Sequence, residues 1–186
     1  MSRKVLVISS SLRRGSNSEM LADEFLKGAA SAGHSAEKLG LAGKTINFCI
    51  GCLACQQTKR CVIDDDSREI TEKMLNADVI AFATPVYYYS VCGQLKTVLD
   101  RANPLFVSDY KFRDIYLLAA AAVNKQDPFA EFQKFFRQML QLIFAEIYFV
   151  GIVQNKVVHR QFLLIIAFPL HTLLLKPDAP LCRLRH

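Results

Sequence analysis

Four cysteines, Cys49, Cys52, Cys55 and Cys61, are spaced CxxCxxCxxxxxC within one short stretch of the chain. Thiolates at two-residue intervals can converge on one centre, because a looped backbone brings every third side chain to the same side. Such a set suits an iron–sulfur cluster or zinc better than scattered disulfides, and the spacing by itself does not choose. A second candidate site is residues 9–18, SSSLRRGSNS, where hydroxyls, an amide, two arginines and a glycine precede a helix. Unpaired N–H groups and the dipole at a helix start favour a phosphate there. The stretch is neither GxGxxG nor the Walker pattern, which weighs against dinucleotides and triphosphates. A solvated turn capped by Ser16 or Asn17 would use the same residues. A third candidate is residues 84–90, TPVYYYS, whose Tyr87, Tyr88 and Tyr89 offer flat faces to an aromatic ligand or to a neighbouring subunit. Hydrolytic patterns such as GxSxG and HExxH are absent, and the four histidines (His34, His159, His171, His186) have no motif neighbours.

The elements that must position these residues follow from hydrophobic periodicity. Residues 4–10 read as a strand buried on both faces, and Met20, Leu21, Phe25, Leu26 and Ala29 recur at helical spacing until Gly33. A weaker strand is expected near residues 36–39, followed by the cysteine loop. Asp66 with Glu69 reads as a capping box for a helix to about Leu75, which accounts for the acidic run 64–66 without catalysis. Residues 78–83 are a strand, 84–90 a loop at its carboxyl end, 93–103 a helix, 114–121 a strand, 127–142 an amphipathic helix and 146–152 a strand. This alternation predicts an α/β, doubly wound, five-stranded parallel sheet with helices on both faces and ligands beyond the strands' carboxyl ends.

The chain has 186 residues, 52% of them hydrophobic and 22% charged, enough for one domain with a full core. We expect that domain to span residues 1–152, followed by an apolar and basic tail, 153–186. The tail holds Lys156, Arg160, Lys176, Arg183 and Arg185 against Asp178, so it carries +4 of the net +6. The remaining +2 gives no basic face of the kind that nucleic acid needs. Residues 162–175 are almost wholly apolar, but they include Pro169 and His171 and fall short of the ~20 residues that span a bilayer. No cleavage pattern follows the first apolar run, so a cytoplasmic location is expected. In a reducing compartment six cysteines argue for metal or redox roles, with Cys92 and Cys182 as ordinary thiols.

The two loops together, SSSLRRGSNS after the first strand and TPVYYYSVCGQLKTVLDR after the third, resemble the flavodoxin-like NAD(P)H-dependent FMN reductase family over approximately residues 3–150. The resemblance implies a flavodoxin-like fold in which Ser11, Arg13, Ser16, Asn17 and Ser18 hold the FMN phosphate. Pro85, Val86, Tyr87, Tyr88 and Ser90 would border the isoalloxazine ring. It implies an oxidoreductase, a homodimer or higher homo-oligomer, that takes electrons from NAD(P)H to a quinone, a small molecule or a protein. The cysteine loop resembles that of the iron–sulfur flavoproteins, which implies Cys49, Cys52, Cys55 and Cys61 as ligands of a [4Fe–4S] cluster and a ferredoxin-like partner. A non-enzymatic flavin-binding sensor is the contrasting reading. Beyond Val150 the sequence departs from the family pattern: no glycine follows Gly151, and the tail turns apolar and basic.

Overall fold

The computed structural model describes residues 1–121 and the strand backbones of residues 146–155 and 160–164. Its elements run β1 (Lys4–Ser9), α1 (Asn17–Ser31), β2 (Ser35–Gly40), α2 (Cys55–Thr58), α3 (Ser67–Asn76), β3 (Val79–Tyr87), β4 (Ser90–Val91), α4 (Gly93–Arg101), a 3₁₀ turn (Asn103–Val107), β5 (Asp114–Ala121), β6 (Glu146–Asn155) and β7 (Arg160–Leu164). The sheet order is β2-β1-β3-β5-β6-β7. The first five strands of that order are parallel, as expected, and β7 adds an antiparallel edge. Strand β6 runs past residue 152 to Asn155, and β7 comes from the tail. The amphipathic pattern at 127–142 lies outside the described residues.

Central strands of such a sheet are covered on both faces, and their composition follows from that. Val5, Val7, Ala81 and Ala83 face α1 through Ala22 and Ala29. Leu6, Ile8, Ile80 and Phe82 face the other layer, where Ile70 and Met74 of α3 meet Leu95 and Val98 of α4. Each fully buried Val, Leu, Ile or Phe side chain contributes roughly 1.5–3 kcal/mol. Helices thus lie on both faces, and every turn at the carboxyl ends of β1 and β3 falls on one rim of the sheet.

Two local expectations are corrected. Asp66 does not form a capping box with Glu69. It sits in helical conformation with no side-chain cap bond, because its carboxylate accepts from Thr45 N at 2.6 Å and from Lys44 Nζ at 3.2 Å. Asp65 accepts from Ser67 N at 3.0 Å instead. Residues 84–90 are not a loop: β3 continues to Tyr87 and turns back into β4, with Val86 paired to Val91 and Tyr87 to Ser90. The two central residues, Tyr88 and Tyr89, have φ of 52° and 60°. That is the signature of a tight hairpin turn whose twist matches the flanking strands, here built from tyrosines where glycine or asparagine is usual.

Candidate functional site

The residues 10–16 turn leaves β1 and feeds α1. Ser16 caps that helix, its Oγ accepting from Glu19 N at 3.2 Å, and Glu19 Oε2 reaches back to Gly15 N at 2.7 Å. Ser11, Ser16 and Ser18 are buried, and the Ser16 and Ser18 hydroxyls lie 3.3 Å apart. Ser11 Oγ accepts from Arg13 N at 3.2 Å, which folds the turn on itself. Arg13 is exposed and Asn17 half-buried. The turn therefore gathers hydroxyls and N–H groups at a helix start, with Gly15 at φ 65° permitting the bend. Glu19 places one negative charge beside the same amides.

The second loop is fastened to the first by buried polar contacts. Ser9 pairs with Ala83 across the β1–β3 register, and both the N–H and the Oγ of Ser10 donate to the Ala83 carbonyl at 2.9 Å. Cys92 is fully buried at the start of α4. Its thiol donates to Ser10 Oγ at 3.1 Å, and its N–H donates to Thr84 Oγ1 at 3.3 Å. Ser10, Thr84 and Cys92 thus fix the turn after β1 against the hairpin after β3. Beyond this knot, Pro85 and Val86 are half-buried and Ser90 is half-buried, while Tyr87, Tyr88 and Tyr89 are exposed, Tyr88 completely.

The cysteine loop lies across α4 at its other end. Cys49, Cys52, Cys55 and Cys61 line one pocket with Asp100, Arg101, Asn103 and Pro104. Gly51, Leu53 and Lys59, with φ of 67°, 57° and 56°, coil the loop around it. Cys49 and Cys52 are exposed, Cys55 is buried at the start of α2, and Cys61 is half-buried. Burial pushes the Cys55 thiol up, and the charges of Cys61, Cys52 and Cys49 add to the effect, so the four sulfurs are electrostatic neighbours. Two side chains donate to sulfur: Arg101 Nη2 to Cys61 Sγ at 3.3 Å, and Asn103 Nδ2 to Cys49 Sγ at 3.8 Å.

Four thiols lining one pocket are the kind of donor set an iron–sulfur cluster uses. Among the described residues, no three Cys, His, Asp or Glu side chains converge closely enough for a single metal ion. A cubane interposes iron and sulfide between its thiolates, so it needs four sulfurs around a shared pocket rather than four in mutual contact. A tetrahedral zinc needs the closer arrangement.

Sequence reasoning included Ser10 and Thr84 in its candidate stretches without their linking role, and missed Cys92, Asp65, Arg101 and Asn103. One signal was present: Leu95, Val98 and Arg101 recur every third residue, which places an arginine on the apolar face of α4. A charge on a buried stripe is a candidate for a specific partner.

Comparisons with known proteins agree with this architecture. An iron-sulfur flavoprotein of Methanocaldococcus jannaschii is 43% identical over 102 residues, covering 55% of this chain and 53% of that protein. One from Methanosarcina thermophila is 38% identical over 99 residues, covering 53% and 52%. The chain thus spans about half the length of the curated relatives it matches. Among solved structures, the NAD(P)H:quinone oxidoreductase of Methanothermobacter marburgensis superposes with a TM-score of 0.69 at 16% identity, over 86% of this chain and 90% of that one. An azoreductase of Bacillus anthracis gives 0.59 at 19% identity, over 81% and 87%. At such identities the likeness is one of fold, and that fold is flavodoxin-like. Residues 3–153 match a single family of flavin oxidoreductases from before β1 through most of β6, and the chain belongs to that family, the NADPH-dependent FMN reductases.

Proposed function

We propose that this chain is an FMN-dependent oxidoreductase of the iron–sulfur flavoprotein kind, with FMN held across the turns after β1 and β3 and a [4Fe–4S] cluster on Cys49, Cys52, Cys55 and Cys61. The observation that carries this reading is the position of α4. Its first residues are tied to both flavin loops through Cys92, and its last ones donate to the cysteine sulfurs. The relatives named iron-sulfur flavoproteins support the cluster assignment.

In this reading Ser11, Ser16, Asn17 and Ser18 offer hydroxyl, amide and N–H groups to the phosphate, and Arg13 supplies its countercharge. Pro85, Val86, Tyr87, Tyr88 and Ser90 border the ring, with the hairpin's backbone facing its polar rim. When bound, the flavin carries electrons in pairs or singly and the cluster carries them one at a time. The protein's own work is to hold both groups in fixed relation and to exclude water from the contact. The family supports NAD(P)H as donor and a quinone or small molecule as acceptor; the cysteine loop supports a ferredoxin-like protein as an alternative partner. A homodimer is the expected assembly, and the exposed Tyr88, Phe48 and Ile50 supply apolar surface for it.

Anaerobic purification followed by FMN and iron determination tests the reading. The expected result is one FMN and roughly four irons per chain with broad absorption near ~400 nm beyond the flavin bands, and steady turnover with NADPH, NADH or reduced ferredoxin. Flavin without iron would reduce the protein to a simple FMN reductase. Bound flavin without turnover from any of the three donors would make it a sensor.

A further inference from the structure

Arg101 is the largest fully buried side chain of the described residues, 1% exposed. Burying a guanidinium is costly unless its donors are used. Nη1 donates to Asn47 O at 2.7 Å and to Asp65 Oδ2 at 2.8 Å, and Nη2 donates to Asp65 Oδ1 at 3.1 Å and Ile63 O at 3.3 Å. The carboxylate alone would satisfy the charge. The remaining contact, Nη2 to Cys61 Sγ at 3.3 Å, goes to an atom that is a weak acceptor as a thiol and a strong one as a thiolate. Asp65 itself is held in place by N–H donors from Asn47 at 2.8 Å and Ser67 at 3.0 Å. Nη2 thus shares its two hydrogens among three acceptors, the fourth cysteine one of them, while the buried Nε has no partner.

We propose that Arg101 is a positioning residue that raises the reduction potential of the cluster on the cysteine loop by donating to Cys61 Sγ and fixing that sulfur against α4. The inference rests on the iron–sulfur reading above. Reduction adds one electron and no proton to the centre, so the reduced state is the more negative by one charge. A donor on a ligating sulfur stabilises that state more than the oxidised one. Asp65 cancels the guanidinium's net charge at longer range, which leaves a local dipole whose positive end meets the sulfur. Of the other charged groups nearby, Arg68 pairs with Asp64 and Asp100 with Lys96, while Lys59 and Arg60 stand exposed in the loop itself. Arg68 Nε donates to Cys61 O at 3.1 Å and thus acts on the backbone rather than the sulfur. Asn103, donating to Cys49 Sγ, has the same role in weaker form. Helix α4 extends about 13 Å from the Cys92 knot to this contact, so the residue that tunes the sulfur centre is rigidly joined to the element that fixes the flavin loops.

The test is an EPR-monitored redox titration of the anaerobically reconstituted full chain, with iron counted on the same samples. Arg101→Gln combined with Asp65→Asn keeps a neutral buried pair; Arg101→Lys keeps the charge but loses the fork. Expected are undiminished iron and FMN in both, with midpoint potentials lower than wild type, the double variant lowest. Midpoints equal to wild type at full iron content would overturn the role of Arg101 and leave the cluster assignment intact. Wild type that takes up no iron would overturn both. Should the variants fail to fold, wild type carrying ¹⁵N-guanidinium arginine decides: coupling of that nitrogen to the reduced cluster is expected, and its absence refutes the contact.

Discussion

Arg101 of α4 and Asp65, two residues ahead of α3, form a two-pronged ion pair at 2.8 and 3.1 Å, with both side chains almost completely removed from solvent. The pair is the clasp between the cysteine loop and the helical layer beneath it. Removing one partner leaves the other as an uncompensated buried charge. Arg101→Ala or Asp65→Ala should therefore each cost ~3–5 kcal/mol, measured by urea denaturation, and the double neutral variant should lose less than the sum. Additive losses would show that the two groups are not coupled.

The same pair gives a pH dependence. Burial works against ionisation of Asp65, but the hydrogen bonds from Arg101, Ser67 and Asn47 outweigh it and hold the carboxyl well below the usual carboxylate range. The unfolded chain therefore binds the proton first as the pH falls. The stability contributed is complete above the ordinary aspartate value, about 4, and is lost progressively below it. Denaturation midpoints at pH 6 and pH 3 should differ more in wild type than in Asp65→Asn. Equal slopes in the two proteins would contradict this.

Thr84 fastens the base of the hairpin to α4 through one atom, its Oγ1, which accepts from Cys92 N, the residue whose thiol reaches Ser10 in the turn after β1. Thr84→Val keeps the shape and leaves a buried N–H unsatisfied, so stability should fall by about 1–3 kcal/mol. FMN affinity should fall with it, because the hairpin is no longer registered against the turn. Isothermal titration with FMN reads the second effect, and a stability loss with unchanged affinity would separate the knot from the flavin site.

In the phosphate turn the prediction separates binding from capping. Arg13→Ala and Asn17→Ala should each weaken FMN binding by ~1–3 kcal/mol while leaving thermal stability of the apoprotein nearly unchanged. Ser16→Ala should lower stability by about 0.5–2 kcal/mol as a lost cap. Glu19→Gln keeps the bond to Gly15 N and removes a charge beside the phosphate, so it should tighten FMN binding. Unchanged FMN affinity in both Arg13→Ala and Asn17→Ala would refute the phosphate assignment.

The tyrosine turn is strained, and strain on this scale is found where function demands it. Replacing Tyr88 and Tyr89 by Asn and Gly fits the φ values of 52° and 60° and should stabilise the fold by about 1–3 kcal/mol. It should also weaken flavin binding or dimer formation, followed by FMN titration and sedimentation. A stabilised protein with neither effect would leave the tyrosines without a role in the site.

Read alone, the sequence determined the parallel sheet and where its central strands lie, because a strand buried on both faces must be almost wholly apolar, and residues 4–10, 78–83 and 114–121 are. It also determined that a serine-rich turn, a tyrosine-rich segment and four cysteines were the chemical candidates, since spacing along the chain is visible without coordinates. The hairpin at residues 84–91 was not legible, because its turn uses tyrosines in a conformation that side-chain chemistry disfavours and that only the surrounding packing enforces. Asp66 misled for a related reason: a local capping box was outcompeted by Lys44 and Thr45, which approach from a distant part of the chain. Tertiary structure alone decided that Cys92 is the buried link between the two flavin loops, and that Arg101 reaches the fourth cysteine forty residues away in sequence. Those contacts depend on which segments the sheet and the two ends of α4 bring together, and long-range neighbours of that kind leave no period or spacing in the chain.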